Sequence, residues 1–563
     1  MTKSQTRGRL THEEVDDLDV IIVGSGIGGL TAGALLTKLG RRVLVVEKHY
    51  NFGGCATVFH RVGNAYEFDV GVHHIGDCGP NGVVPRILRW LGIDDLTWTE
   101  QEPSGHDRFV FPDLTVKFPK GMGEFRRNLI EAFPAERAGI DRFLNFVAGV
   151  GDVISVRDSP WRLLMVLPQL LTLLRKQNAT LGEFLSECTQ DIRLQAVLAA
   201  QLGIYHLPPS RSSLVCHAAV VGHWLHGSYT PQGGGQILSD RLLDVIEEGG
   251  GRILLRTSVN KILLEKGRAV GVELSNKRQG KFKRFARNVV SNADYKRTLL
   301  SLVGREHLPA GEAERVEKLE MSTGMFVVYL GIKRDLSKEG MANCNIRLFP
   351  DYDLESNYKV IAQGGFPERP HLYFSNATLR SPHDPKVAPP GITNLQLMTA
   401  APSSLESWGI TRAELDSGGY RENPTYLETK GMFAARVIAE AERLFPNLAR
   451  DIVYQETSTP ISTERFIAAE NGTSYGLAAT PSQFLMRRPG ARTSINNLFT
   501  CGASGRTGLG VFGSMNSALD AVGALLNQPF FVSRVLSNRV AFDTWDSQPN
   551  PPHLLPNGQV GTT

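Results

Sequence analysis

Apolar residues fall in short, separated runs along the chain, and the first is the most informative. Asp19-Val-Ile-Ile-Val23 is a β-branched run of the kind a strand buried in a parallel sheet requires. It leads into Gly24-Ser25-Gly26-Ile27-Gly28-Gly29, then a helical pattern ending near Leu39-Gly40. A second apolar strand, Val43 to Val46, finishes on Glu47. Further on, Tyr66 to His73 reads as extended and Ile237 to Ile246 as an amphipathic helix. Ile253 to Ser258 reads as a strand, followed by a hairpin through Glu265-Lys-Gly-Arg268 to Val270–Leu274. Val289-Val290 returns to the sheet, and residues after Leu498 close it. Leu163 to Leu174 is the longest apolar stretch, interrupted by Pro168 and Gln169; it falls short of the roughly 20 residues a membrane-spanning helix needs.

The strand, glycine turn, helix and strand, with an acid about 20 residues past the glycines, carry a chemistry. Gly24 makes the turn, Gly26 lets backbone approach a pyrophosphate, and Gly29 lets the helix pack on the sheet. The helix N-terminus offers N–H groups and partial positive charge to phosphates, and Glu47 is placed to accept ribose hydroxyls. Gly508-Leu-Gly510-Val511-Phe-Gly513 also matches the glycine pattern, but no second strand–helix–strand unit comes after it, so it is not a second nucleotide site.

Composition narrows the classes. At 563 residues, the chain is long enough for two intertwined domains. Lys+Arg 61 against Asp+Glu 57 gives a net charge of +4, too small to advertise nucleic acid. The six cysteines lack paired or ligand spacing, so neither disulfides nor a metal site is expected. The first eighteen residues lack the apolar stretch of a secretory signal, and the segment from about Asp546, rich in Pro, Asn and Gly, reads as a disordered tail over 546–563. Lys277-Arg-Gln-Gly-Lys-Phe-Lys-Arg284 reads as a solvated hairpin edge. The motifs of proteases, hydrolases and Schiff-base enzymes are absent from the sequence.

The residues beyond Glu47 make the pattern specific. Asn51-Phe-Gly53-Gly54-Cys55-Ala-Thr57 places a glycine pair beyond the second strand, and Gly71-Val-His73-His74-Ile-Gly76 comes next. These segments resemble the phytoene desaturase, carotenoid isomerase and retinol saturase group of flavoproteins, most closely the retinol saturase branch. Arg175-Lys176, Gly227 to Gly235, Val289 to Ala293, Glu470 to Gly476 and the closing glycine segment come in that group's order across roughly 17–527.

The resemblance implies an α/β fold: a Rossmann-type FAD-binding domain (GR2-like flavoprotein) with a discontinuous α+β substrate domain. The FAD part comprises 17–77, 231–300 and 491–530; the substrate and membrane-facing part comprises 78–230 and 301–490. It places Gly53 and Gly54 near the FAD pyrophosphate and flavin, and adds Ser25, Ile27, Gly28, Lys48, Cys55, Thr57 and His73 to the cofactor's surroundings. Val259 either presents backbone to the adenine or is an ordinary strand end. Gly502 and Ala503 are implied at the ribityl or pyrophosphate region, and Gly510 and Val511 beside the flavin. Ala503 and Ser504 depart from the pattern, standing where many relatives carry a carboxylate; Ser504 offers only a neutral hydrogen bond.

For catalysis, His73 is the family-matched proton handler, with a structural histidine as the alternative. On a strand, His73 and His74 would face opposite ways. His217, His223 and His226 read either as cavity lining or as core. Glu470 and Tyr475, beside the turn Asn471-Gly472, either reach the cavity or hold the turn. The implied activity is hydrogen addition to, or removal from, a carbon–carbon double bond of an apolar isoprenoid, polyene or related lipid. The alternatives are a redox-neutral carotenoid isomerase using reduced FAD and a lipid-binding protein that keeps FAD as structure. An external electron partner (NADPH, quinone or oxygen) is implied. Trp161-Arg162, the leucines from Leu163 to Leu174 and Arg175-Lys176 suggest peripheral membrane contact from the cytoplasmic side; the alternative is a buried helix pair bent at Pro168.

Overall fold

The computed structural model describes residues 18–156, 163–382 and 384–536. The predicted tail and the pair Trp161-Arg162 lie outside the described residues.

Two seven-stranded sheets organise the chain. The first runs in the order Arg252–Leu254, Val43–Val46, Leu18–Val23, Gly280–Ser291, Arg268–Asn276 and Ser258–Glu265, with Leu498–Thr500 also pairing Gly280–Ser291. Leu18–Val23 pairs in parallel with both neighbours, so its side chains are buried on both faces, as the unbroken β-branched run predicts. Val20 and Ile22 pack toward the helices Ile27–Lys38, Gln236–Glu248 and Gly510–Leu525, while Ile21 and Val23 pack toward Ile262, Val272 and Leu299.

Two elements differ from expectation. The run predicted as one strand over Ile253–Ser258 is split: Arg252–Leu254 joins the parallel sheet, and Ser258–Glu265 starts an antiparallel hairpin. Between them, Arg256 has positive φ and Thr257 donates to the Glu47 carbonyl. The basic run starts in the turn before Gly280–Ser291 and continues along that strand. It lies on a local edge only: the strand pairs with Arg268–Asn276 from Gly280 to Phe285, then enters the sheet centre beside Leu18–Val23.

The second sheet runs Ile452–Ser458, Gly324–Ile332, Thr393–Ala401, Leu372–Asn376, Asn345–Leu348, Asp107–Val110 and Thr115–Phe118. Its period-two alternation separates two environments. Phe326, Val328 and Leu330 pack with Phe433 and Trp408 in one core. Val327, Met398, Tyr373 and Arg347, in register across four adjacent strands, face the other way. Opposite that face stands a helical layer including Arg137–Val156, Leu167–Lys176 and Leu214–Trp224, held by its own apolar core.

Among the described residues no helix is long and apolar enough to cross a membrane. Leu167–Lys176 is a short helix with Pro168 in its first turn, where a missing N–H costs nothing. Leu173 is buried, while Leu164, Met165, Leu167, Leu171 and Leu174 are exposed, Met165 by 79%.

Candidate active site

Gly24 has a φ of +90°, open to glycine at little cost. A Cβ on Gly29 would lie 2.2 Å from the Gly24 carbonyl oxygen, so helix and turn can meet only through glycine. Gly26 caps the helix Ile27–Lys38 without a side-chain hydrogen bond, leaving first-turn N–H groups for an anion. The distant glycine pair is seated on this turn: Gly53 N–H donates to the Ser25 carbonyl at 3.1 Å, and a Cβ on Gly54 would lie 3.0 Å from Gly26 Cα.

Glu47 is buried, but its carboxylate is already engaged. It accepts from Ser25 N–H (2.9 Å) and Ser25 Oγ (2.7 Å) at Oε2, and from His49 N–H (2.8 Å) at Oε1. It therefore organises the glycine turn as well as offering acceptor capacity at Oε1 for a ribose hydroxyl. Lys48 turns from the phosphate region and donates to the Arg465 carbonyl at 3.1 Å; burial and the nearby Arg297 bring it down to about 8. Thr57 is tied to Asn51 and Gln236. Val259 stands two residues past Thr257, the residue bonded to Glu47.

The closing segment meets the same turn. A Cβ on Gly28 would come 3.0 Å from Gly502 Cα and 2.7 Å from Asn292 Oδ1. Asn292, at the end of the central strand, is thus wedged between the opening turn and the closing segment. Arg488 is a second residue not singled out from sequence. Fully buried, it donates from Nε to the Gly505 carbonyl (2.8 Å) and from Nη2 to that of Ala503 (2.9 Å); burial brings it down to about 10. The helix Gly510–Leu525 then begins without a side-chain cap, and Gly510, Val511 and Phe512 face a large cavity.

That cavity, about 2320 Å³, lies between the second sheet and the helical layer. Cys55, His73, His74, Tyr475 and the Arg347–Tyr373 pair line it. The predicted opposition of His73 and His74 does not hold: both precede the strand Ile75–Gly76 in irregular backbone, and both face the cavity. Burial brings His73 down to about 4, and its Nδ1 has no hydrogen-bond partner among the described residues. Tyr373 Oη donates to Asn345 Oδ1 at 2.9 Å and lies 2.6 Å from His74 Nδ1; with its one proton engaged, it accepts from His74 Nδ1. The Cys55 thiol is exposed to the cavity.

The geometry separates the alternative readings of the other candidates. Glu470 pairs with Lys296 at 2.8 Å and is not part of the cavity wall, whereas Tyr475 is. His217 is a core residue, bonded to Tyr205 Oη and the Leu198 carbonyl, each at 2.8 Å. His223 lines the cavity against the Phe512 ring, 4.5 Å away. The leucine stretch is not a buried helix pair. Leu170, Leu173 and Leu174 border the cavity, while Leu167 and Leu171 point away from it.

Comparison with known proteins agrees with this geometry. The NAD(P)-binding Rossmann-like domain family matches residues 22–91. All-trans-retinol 13,14-reductase of Danio rerio is 26% identical over 93% of this chain and 88% of its own length. Prolycopene isomerase 1, chloroplastic, of an Oncidium hybrid cultivar is 29% identical over 89% and 82%. Among solved structures, an oxidoreductase from Methanosarcina mazei superposes with a TM-score of 0.62 over 91% of this chain and all of its own, at 16% identity, a likeness of fold. With the glycine turn and the closing segment in place, the chain is an oxidoreductase with a Rossmann-type nucleotide-binding domain, similar over most of its length to all-trans-retinol 13,14-reductase and to prolycopene isomerase.

Proposed function

We propose that this protein is an FAD-dependent oxidoreductase that saturates or desaturates a carbon–carbon double bond of a long apolar isoprenoid or polyene. The cavity carries the reading. At about 2320 Å³ it exceeds the ~300–1,000 Å³ of ordinary small-molecule sites, and it runs from the uncapped helix N-terminus at Gly510 to the leucine helix. The relatives named for retinol and prolycopene support a polyene. The seating of Gly53 and Gly54 on the first turn supports FAD over NAD(P).

When bound, FAD supplies hydride transfer at N5. The uncapped helix at Gly26 takes the pyrophosphate, Glu47 takes a ribose hydroxyl, and the Gly510 helix N-terminus favours negative charge beside it. Saturation also requires a proton. Burial leaves His73 and His74 neutral at neutral pH, and the phenol of Tyr373, bonded to His74, stays protonated. Tyr373 is therefore the acid that this geometry presents, with His73 Nδ1 a second site that can hold a proton. Electrons come from or leave to an external partner: NADPH, quinone or oxygen.

Denatured protein should release FAD, and reduced holoenzyme should convert all-trans-retinol to a product two hydrogens heavier. Release of FMN or NAD(P) alone would sink the cofactor assignment. A change of double-bond geometry at constant mass would favour the second reading, a redox-neutral isomerase, which the similarity to prolycopene isomerase supports.

The exposed leucines support peripheral docking on a membrane. The helix Leu167–Lys176 spans only ~15 Å, so it would lie in the interface and not cross it. A water-insoluble substrate would then pass between Leu170 and Leu174 into the cavity without meeting bulk water.

A further inference from the structure

We propose that Arg347, Tyr358, Tyr475 and His206 form a subsite for the terminal hydroxyl of an apolar chain, a deepening that rests on the polyene reading above. Arg347 belongs to the in-register row on the cavity face of the second sheet and is buried. Its Nε and Nη2 each lie 3.4 Å from Asp107 Oδ2, and its guanidinium sits 4.9 Å over the Tyr373 ring. Its Nη1 has no protein acceptor among the described residues, although the side chain lines the cavity. The Tyr358 and Tyr475 rings line the same region, close enough to Arg347 to feel its charge, and neither phenol oxygen has a protein partner among the described residues.

His206 completes the set. Its ring meets that of Tyr475 edge-on at 5.4 Å, and its Nδ1 lies 3.3 Å from the Thr323 carbonyl. A carbonyl can only accept, so Nδ1 carries the proton and Nε2 presents a lone pair. His206 is also held at φ +54°, a left-handed conformation unusual for a buried side chain and one that collects at functional sites. Three donors and one acceptor suit a group that both accepts and donates.

Charge selects among the oxygen-bearing ends. Asp107, wholly buried and bonded to Gln201 at 2.8 Å, balances Arg347. A carboxylate would leave the subsite with a buried net negative charge. A carbonyl would leave His206 Nε2 unmatched, and a hydrocarbon end would leave all four groups unmatched. A hydroxyl can donate to His206 Nε2 and accept from two of the three donors without adding charge.

The test titrates holoenzyme with all-trans-retinol, all-trans-retinoic acid and the hydrocarbon in which a methyl replaces the alcohol carbon of retinol. Wild type should bind retinol about 10-fold or more tighter than either comparator. The Tyr358→Phe, Tyr475→Phe double variant keeps both rings and should weaken retinol about 10- to 100-fold with no comparable change for the hydrocarbon. Equal affinity of wild type for retinol and the hydrocarbon would overturn the subsite and leave the polyene reading standing. Tighter binding of retinoic acid than of retinol would overturn the hydroxyl assignment. Failure of wild type to bind any of the three would remove the polyene reading, and the subsite with it. The wild-type comparison decides the matter even if the double variant does not fold.

Discussion

Burial, more than sequence position, decides what each side chain around the cavity can do. A histidine brought down to about 4, as His73 is, has no imidazolium proton to give at neutral pH. Turnover should therefore fall about 100-fold or more in Tyr373→Phe with the cofactor spectrum retained, and less in His73→Ala; steady-state kinetics on the two variants ranks them, and the reverse order would return the proton to His73. Glu47→Ala should weaken FAD retention by about 1.5–3 kcal/mol, the range for a hydrogen bond to a charged group, read as free FAD after gel filtration. Because Glu47 also holds Ser25, Glu47→Gln should recover part of the loss. The glycines and Glu47 were legible because their geometry is local, one turn between a strand and a helix. Asn292, Arg488 and Arg347 were not: each gains its meaning from segments remote in sequence, and the alternation around Arg347 does not say which face of its sheet meets the cavity.

The helix Leu167–Lys176 shows what a single element can reveal. Its leucine content and basic end were evident in the sequence; which leucines are outward was not, because the helix carries apolar residues on more than one face. Leu170 is half-buried at the cavity, so a charge there would damage the wall. Leu167 and Leu171 are outward and clear of it. Leu167→Glu with Leu171→Glu should abolish co-sedimentation with anionic liposomes while leaving melting temperature and cofactor content unchanged; retained binding in that folded variant would exclude this helix as the anchor. Lys176 adds less to such docking than its charge suggests, since it pairs with Glu187 at 2.6 Å. The split of the strand predicted over Ile253–Ser258 has a similarly local cause: the positive φ of Arg256 breaks a run whose apolar pattern is otherwise continuous.

Across the molecule, histidines held neutral by their desolvated surroundings couple stability to acidity. Burial brings His73, His206, His217 and His371 down to about 4, and His223 to about 3. The unfolded chain binds these protons near pH 6.5, so between about 6.5 and 4 it holds more of them than the folded chain and stability rises with pH. The contribution is fully present above 6.5 and is lost as pH falls toward 4. Melting temperature should drop progressively across that window; a flat profile from 6.5 to 4 would contradict the desolvated, neutral assignment. The central strand Gly280–Ser291 has a different consequence, one that belongs to biosynthesis. Its parallel partners are Leu18–Val23, made before it, and Leu498–Thr500, made long after it. Gly502 and the Gly510 helix come later still, so in the nascent protein the dinucleotide turn faces an open wall. Cofactor capture should thus wait for synthesis of that segment, and a premature stop before Leu498 would yield a chain that cannot keep its cofactor.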